Sequence, residues 1–320
     1  MLDVILLGSG ATMPTPERGL SAAVLRCAGR AILFDCGEGT QTALRRERVS
    51  PIRLDLIALS HYHGDHCFGL PGLLQTMNCL RRTEALTVTG PEGLEEAMEP
   101  ILRLAGPLEF PVRLFPFDEA AVPMTAFHPA WPRHARLERF ATAHRVPSRG
   151  YVFRLARPAA FLPEKARALG VPVPLWKQIL AADPSDPVCL DGRAMTVGSR
   201  ILRGADLMGR PRKGLSVVVS GDTLPCPALR EAAAGADLLI HDATYGDSAQ
   251  EDEALLWGHS TFAQAAALAR EAQVDTLWLT HFSQAMREPA DWLAGAQAIF
   301  ARTVCGFDGL SVTLRYHDDR

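Results

Sequence analysis

Four side chains able to bind a metal ion lie within six residues of one loop: His61, His63, Asp65 and His66. The loop follows an apolar run at 54–59, which predicts a buried strand that ends at the loop. Imidazole nitrogen and carboxylate oxygen together suit zinc and other divalent first-row metals. The two first histidines point the same way along an extended segment, and Gly64 allows a turn that presents the second pair. The pattern therefore predicts two adjacent metal sites rather than one tetrahedral site. The alternative is a polar loop, but compact ligand clusters are stronger indicators than single residues.

Three later apolar runs of strand length also end beside ionisable side chains. The residues at their ends are Asp222, His241, Asp242 and His281. In open α/β sheets, ligands gather outside the carboxyl ends of the strands. Each of these residues taken alone is explained as a turn former. Together with the run at 54–59, however, four strands end at ionisable residues, and this predicts one shared site.

Two more histidines lie near predicted element boundaries. His144 is in an extended segment just before a predicted strand at 151–155, and the sequence leaves open whether it is a ligand or an ordinary loop residue. His259 directly precedes a predicted helix at 260–272 that Ser260 or Thr261 caps, and helix capping is the alternative to a functional role for His259.

The length and composition describe a soluble globular protein. The chain has 320 residues, which allows one large domain or two small ones, with 48% hydrophobic and 22% charged residues. No apolar run approaches the ~20 residues that span a membrane, and residues 1–7 resemble a strand rather than a signal peptide. The seven cysteines are dispersed, which predicts reduced thiols in a cytoplasmic protein.

The charge is unevenly distributed along the chain. The net charge is only −3, but residues 133–213 hold sixteen Lys and Arg against six Asp and Glu. This asymmetry indicates either a basic surface for a polyanion or a solvated face of mixed charge. The stretch 157–213 is rich in proline, with one predicted helix at 163–169. It is too long for an ordinary loop, so we expect an inserted arm or a functional insertion.

These motifs resemble those of a known superfamily. His-x-His-x-Asp-His after an apolar strand is similar to the signature of the metallo-β-lactamase fold. The resemblance implies an αββα sandwich of two mixed β-sheets flanked by helices. Asp-Cys-Gly-Glu-Gly-Thr-Gln at 35–41 and Gly-His-Ser-Thr at 258–261 are more specific, and with them most of the chain resembles the ribonuclease Z family. We therefore expect a single domain over 1–320 with an inserted basic, exosite-like arm at 157–180.

The resemblance implies a site with two Zn²⁺ ions per chain, for which Mn²⁺ or Fe²⁺ also suit the ligands. It assigns the first metal to His61, His63 and His144. It assigns the second metal to Asp65, His66 and His281, with Asp222 as the bridge. Asp35 lies where a carboxylate can orient a ligand histidine.

The resemblance also implies the chemistry. Asp65 orients or deprotonates the attacking water, and His259, oriented by Asp242, protonates the leaving 3′ oxygen. The implied reaction removes the 3′ trailer from precursor tRNA by hydrolysis and leaves a 3′-hydroxyl. The family acts as a homodimer in which the arm grips the tRNA elbow.

Three positions depart from the family pattern, and they concern the substrate rather than the metal site. The chain has Val173-Pro174 where the family commonly has Gly-Pro late in the arm, and Asp242 where the family usually has Glu. It has Gln284-Ala285-Met286 where the family tends towards Ala/Ser-Arg-Tyr. Two other interpretations therefore stay open. One is a small-molecule phosphodiesterase or another hydrolase of the same fold, and the other is a non-catalytic RNA-binding module that holds metal for structure.

Overall fold

The computed structural model describes residues 1–116, 119–182 and 185–316. The chain forms two compact units, Met1–Leu155 with Leu215–Arg320, and Ala156–Gly214. Each unit has its own hydrophobic core. Among the described residues, no helix combines the length and the apolar character needed to cross a bilayer.

The strands, in chain order, are β1 (Leu2–Gly8), β2 (Ala22–Cys27), β3 (Arg30–Phe34), β4 (Leu54–Ala58), β5 (Leu86–Thr89), β6 (Val112–Leu114), β7 (Ala121–Pro123), β8 (Ala135–Ala141), β9 (Arg149–Arg157), β10 (Cys189–Leu190), β11 (Arg193–Ala194), β12 (Thr196–Val197), β13 (Arg200–Ile201), β14 (Arg212–Val219), β15 (Leu238–Asp242), β16 (Leu277–Thr280), β17 (Thr303–Cys305) and β18 (Ser311–Leu314). The α-helices are α1 (Thr40–Arg46), α2 (Gly64–Cys67), α3 (Leu70–Cys79), α4 (Leu94–Ala105), α5 (Pro163–Ala168), α6 (Val173–Ala181), α7 (Pro227–Ala232), α8 (Glu251–Trp257), α9 (Phe262–Glu271) and α10 (Leu293–Ile299).

Two mixed sheets form the first unit, each with seven strands in the described part of the chain. The first has the order β18-β1-β2-β3-β4-β5-β6, and the second has the order β17-β16-β15-β14-β9-β8-β7. The pairs from β3 to β6 and from β14 to β17 are parallel, whereas β18-β1-β2-β3 and β9-β8-β7 are antiparallel. The predicted pair of mixed sheets is confirmed.

The side chains of each central strand divide between two apolar layers. Leu238 and Ile240 of β15 lie in the core that both sheets share, whereas Leu239 packs in the layer that contains α7 and α9. The first sheet is covered in the same way on its outer face by α1, α3 and α4. Burial on both faces explains why the sequence shows continuous apolar runs instead of alternation. This arrangement is the predicted αββα sandwich.

The second unit is richer in structure than its sequence predicted. Helix α5 forms as expected, but α6 and the hairpins β10-β11 and β12-β13 were not predicted. Helix α6 begins at Val173-Pro174, and proline at the start of a helix needs no hydrogen-bond donor there, so it favours the first turn rather than a break. Ile179 of α6 packs in a small apolar core with Val188 and Leu207. The arm expected at 157–180 lies inside this unit.

Candidate metal centre

Three histidines and one carboxylate from distant parts of the first unit converge. They are His61, His63, His144 and Asp222, and their donor atoms all lie within 4.8 Å of one another. His61 and His63 follow β4, His144 precedes β9, and Asp222 follows β14. The Nε2 atom of His61 is 2.8 Å from Nδ1 of His63. The structure thus places together the residues expected around the first metal.

A second group forms beside the first from Asp65, His66 and His281, again with donor atoms within 4.8 Å of one another. The Nε2 atoms of His66 and His281 are 3.3 Å apart. Oδ2 of Asp65 lies 3.4 Å from Nε2 of His281 and 3.7 Å from Nε2 of His66. These are the residues expected around the second metal.

Asp222 lies between the two groups and presents one oxygen to each. Its Oδ2 is 3.6 Å from Nε2 of His61. Its Oδ1 is 3.2 Å from Nε2 of His66 and 3.3 Å from Nε2 of His281. This is the arrangement expected of a carboxylate that bridges two cations.

Each of four histidines has Nδ1 held by a neighbour, which directs Nε2 towards the centre. The contacts are His61 with Ser60 Oγ (3.0 Å), His66 with Asp35 Oδ2 (2.9 Å), His144 with the Gly258 carbonyl (2.9 Å) and His281 with Thr244 Oγ1 (2.8 Å). Such contacts fix the tautomer and orientation of a ligand histidine. Of these partners, only Asp35 was predicted from the sequence. Carbonyl and hydroxyl partners carry little sequence signal because such groups occur throughout the chain.

The backbone is strained at two residues of the site. Asp35 has φ of 56° and His281 has φ of 63°, in the left-handed region that non-glycine residues rarely adopt. Asp35 is held there by hydrogen bonds from the backbone N–H of Ser60 (2.7 Å) and from its Oγ (2.9 Å). Strain of this kind persists only where the surroundings hold it, and it is concentrated at functional sites.

The donor set fits divalent cations. Burial, together with the neighbouring His66, lowers the pKa of His61 to about 2, so its imidazole is neutral and keeps a lone pair. Nε2 of His144 is buried and has no hydrogen-bond partner among the described residues. A buried lone pair without a partner is costly, and a cation would satisfy it. The neutral His61 imidazole and the unpartnered Nε2 of His144, beside the buried Asp222 carboxylate, are therefore coherent ligands for zinc-like metals.

His259 lies outside the two donor groups and is paired with Asp242. Its Nδ1 is 2.8 Å from Oδ2 of Asp242. Burial lowers the pKa of His259, but the Asp242 carboxylate outweighs burial and raises that pKa to about 9. The cap of α9 is Thr261, whose side chain accepts from the N–H of Gln264, so helix capping does not explain His259. The contact with Asp242 and the raised pKa suit His259 to act as a general acid.

A cleft of about 810 Å³ opens over these groups. Its lining includes His63, Asp65, His144, Asp222, His259 and His281. Two donor groups that share a carboxylate, with a protonated imidazole beside them, can clamp a phosphodiester and protonate its leaving oxygen.

Comparison with known proteins identifies relatives along the full chain. The metallo-beta-lactamase superfamily model matches residues 16–135. The chain is 35% identical over 316 residues to ribonuclease Z of Lachnoclostridium phytofermentans, which covers 99% of both chains. It is also 35% identical over 319 residues to ribonuclease Z of Clostridium beijerinckii, which covers 100% of both. A crystal structure of human tRNase Z, short form, matches with a TM-score of 0.66 and 27% identity, over 98% of this chain and 99% of that chain.

Proposed function

We propose a function for this chain, which belongs to the ribonuclease Z family. It is a metal-dependent endoribonuclease that hydrolyses one phosphodiester of precursor tRNA, releases the 3′ trailer and leaves a 3′-hydroxyl on the tRNA. The observation that carries the proposal is Asp222, whose two oxygens face the two donor groups. A shared carboxylate of this kind is typical of two-metal hydrolysis of phosphate esters.

Each donor group would hold one cation, and the two cations would polarise the phosphodiester and make water more acidic. Asp65 accepts the proton of the attacking water. Its carboxylate is placed for this by the N–H of Thr12, which donates to Oδ2 at 2.7 Å. Because Thr12 belongs to the glycine-containing loop after β1, this loop positions the base.

His259 completes the reaction as the acid. The water oxygen forms a bond to phosphorus, the bond from phosphorus to the 3′ oxygen breaks, and that oxygen takes the proton of His259 Nε2. Asp242 holds the ring in the required tautomer through Nδ1. The carboxylate is itself anchored by the N–H of Thr223 at 3.0 Å and by Oγ1 of Thr244 at 2.7 Å.

Two lines support tRNA as the substrate. The relatives named ribonuclease Z align over essentially the whole chain, so the Ala156–Gly214 unit lies within the aligned region. That unit exposes Lys165, Arg167 and Lys177 in or next to its helices. Exposed cations of this kind bind the phosphate backbone of RNA without reading its sequence.

We extend the proposal to zinc as the metal, to a homodimer and to a cytoplasmic location. Histidine nitrogen with carboxylate oxygen suits zinc, and the seven cysteines, all within the described residues, form no disulfide. Elemental analysis of the purified protein tests the metal, and light scattering tests the dimer. Bound iron or manganese, or a monomer at working concentration, would contradict these extensions.

The decisive experiment compares two substrates and two enzymes. Wild type is expected to cleave precursor tRNA beside the discriminator base, and His259→Ala is expected to lower kcat about 10²–10⁴-fold. Hydrolysis of bis(p-nitrophenyl) phosphate should fall far less in the variant, because p-nitrophenolate leaves without a proton. Absence of tRNA cleavage by wild type that hydrolyses the small diester would instead support a small-molecule phosphodiesterase. Metal binding without turnover of either substrate would support an RNA-binding module.

A further inference from the structure

Two large aromatic side chains line the catalytic cleft and remain exposed. The side chain of Phe68 is 69% exposed and that of Trp257 is 47% exposed. Both line the cleft that also contains Asp65 and His259. Exposed aromatic surface of this size beside reacting groups indicates a ligand with flat apolar faces.

Phe68 has a defined position although most of its ring is exposed. It directly follows α2, the short helix that carries Asp65 and His66. Its ring lies so close to Gly64 that a Cβ there would be 2.5 Å from Cε2 of the phenyl ring. The ring is therefore supported by the loop that carries the ligands, with much of its surface facing solvent.

Trp257 makes a cation–π contact with Arg145. The guanidinium carbon of Arg145 lies 4.7 Å from the ring centroid of Trp257. Both residues are neighbours of site residues, because Arg145 follows His144 and Trp257 is two residues before His259. The Gly258 carbonyl accepts from Nδ1 of His144 at 2.9 Å, which ties the two segments together. The indole and the guanidinium thus form one stacked pair whose place relative to the donor groups is defined.

We propose that Phe68 and the Arg145–Trp257 pair are two stacking platforms for unpaired bases next to the scissile phosphate. Single-stranded RNA is recognised by bases that stack on aromatic rings and on arginine planes. The guanidinium also places a positive charge for the phosphate next to a stacked base. This inference rests on the proposed function and deepens it.

The platforms favour single-stranded RNA over duplex RNA at the cut. Bases inside a duplex are already stacked and paired, so they gain nothing from the platforms without first being extruded. An unpaired base has free faces and gains stacking. Phe68, Arg145 and Trp257 are thus positioning residues for the proposed reaction.

The test pairs changes in the enzyme with changes in the RNA. The substrates are a precursor tRNA with its single-stranded 3′ end and the same RNA with abasic nucleotides on either side of the scissile phosphate. The enzymes are the full chain as wild type, Phe68→Leu and Trp257→Leu, with Phe68→Tyr and Trp257→Phe as conservative variants. Phe307→Leu and Trp292→Leu are matched controls, because these aromatics are 57% and 40% exposed and do not line the cleft.

For the intact RNA, each Leu variant of a cleft aromatic is expected to raise KM about 5- to 100-fold with a smaller change in kcat. The reason is that stacking stabilises the bound substrate as well as the transition state. The conservative variants should restore most of this loss. Wild type is expected to lose a similar factor on the abasic RNA. On the abasic RNA, the KM of the Leu variants should rise little above that of wild type, because the base that would stack on the removed ring is already absent.

Each other outcome overturns the inference. An equal loss on intact and abasic RNA would show that the rings act on something other than bases. Full activity of wild type on abasic RNA would exclude base stacking even where a Leu variant does not fold. A change of oligomeric state by light scattering in the cleft variants alone would assign the rings to a subunit interface. Wild type that cleaves no precursor tRNA contradicts the proposed function itself, which is a separate result.

Discussion

The Nδ1 atom of His259 lies 2.8 Å from Oδ2 of Asp242, a carboxylate with 1% of its residue surface exposed. The family that the sequence resembles usually has the longer glutamate at this position. Here the shorter side chain still reaches the imidazole. The departure at Asp242 therefore leaves the proposed acid, His259, with its carboxylate contact.

The Asp242–His259 contact predicts a shift in the pH profile. The acid must be protonated, so activity falls as the pH rises through the pKa of His259. Asp242 raises that pKa, and Asp242→Asn removes the negative charge. We expect the alkaline limb of kcat/KM for precursor tRNA to move to lower pH in Asp242→Asn, together with a lower kcat. The measurement is kcat/KM as a function of pH.

Asp237→Asn is the matched control for this variant. Asp237 is also buried and lies just before β15, the strand that ends at Asp242. It accepts from the N–H of Ser216 at 2.7 Å and has no part in the site. We expect it to lower stability but to leave the alkaline limb in place. An unchanged limb in Asp242→Asn would contradict the assignment of the acid.

The place of Asp222 between the two donor groups predicts a loss of metal. Asp222→Ala removes the oxygens that face both groups, so bound metal should fall below the about two ions per chain expected of the wild type. Since a bound metal stabilises the folded state, a chelator should lower the Tm of wild type by several degrees and that of the variant by much less.

Elemental analysis and thermal unfolding check this prediction without any assay of activity. Glu38→Gln is the control, because Glu38 lines the same cleft but belongs to neither donor group. It should keep the metal content and the response to the chelator. Full metal content in Asp222→Ala would rule out the bridge.

The buried ion pair between Arg30 and Asp55 lies at the start of β4, at the opposite end of that strand from the metal loop. Its loss is predicted to lower the stability of the fold. Nε of Arg30 donates to Oδ2 of Asp55 at 2.8 Å, and Nε1 of Trp131 donates to the same oxygen at 2.7 Å. Asp55 is 1% exposed and Arg30 is 4% exposed. Asp55→Ala leaves Arg30 with only the half-exposed Glu84, 3.0 Å away, and removes the acceptor of the Trp131 N–H. It should therefore lower the free energy of unfolding by about 3 kcal/mol.

Denaturant unfolding of Asp55→Ala and of Glu99→Ala checks this prediction. Glu99 pairs with Arg103 at 2.6 Å, but both side chains are largely exposed. Exposed pairs contribute little, so Glu99→Ala should change the stability far less. Equal losses in the two variants would mean that burial does not set the cost.

The exposed cations of the second unit predict the salt dependence of tRNA binding. Lys165→Ala and Lys177→Ala should weaken binding and lower the slope of log K against log salt by about 0.7–0.9 for each lost phosphate contact. Lys165→Arg and Lys177→Arg keep the charge and should keep the slope. Filter binding over a range of salt concentrations gives the slope, and hydrolysis of a small diester should not change. These substitutions are preferable to deletion of 158–175, which would remove Ala166 and Val171 from the core of the unit.

Much of the site was accessible from the sequence because its residues occur in short motifs at the ends of apolar strands. His61, His63, Asp65 and His66 are within one loop, and parallel strands must end at one edge of a sheet. Helix α6 was missed for a local reason, because Pro172 and Pro174 resemble helix breakers, although Pro172 is the residue before the helix and Pro174 lies in its first turn. The partners of the ligand histidines were missed for a different reason, because they are backbone carbonyls and hydroxyls from distant segments.

The chain alone therefore established which residues could bind metal and which family they resemble, since residue type and local spacing carry that information. The resemblance implied the roles of Asp222 and Asp242, but only the folded structure gave the distances at which Asp222 faces both groups and Asp242 reaches His259, and it alone showed Arg145 over the ring of Trp257. Each of these relationships joins two different segments of the chain, which are 17 residues apart for Asp242 and His259 and more than 100 apart for the other two. The contacts of Asp222 with His61 and His66 depend on how the two sheets pack, and the other two contacts depend on how loops and helices pack at the end of the second sheet. No local pattern of residues encodes that packing by itself.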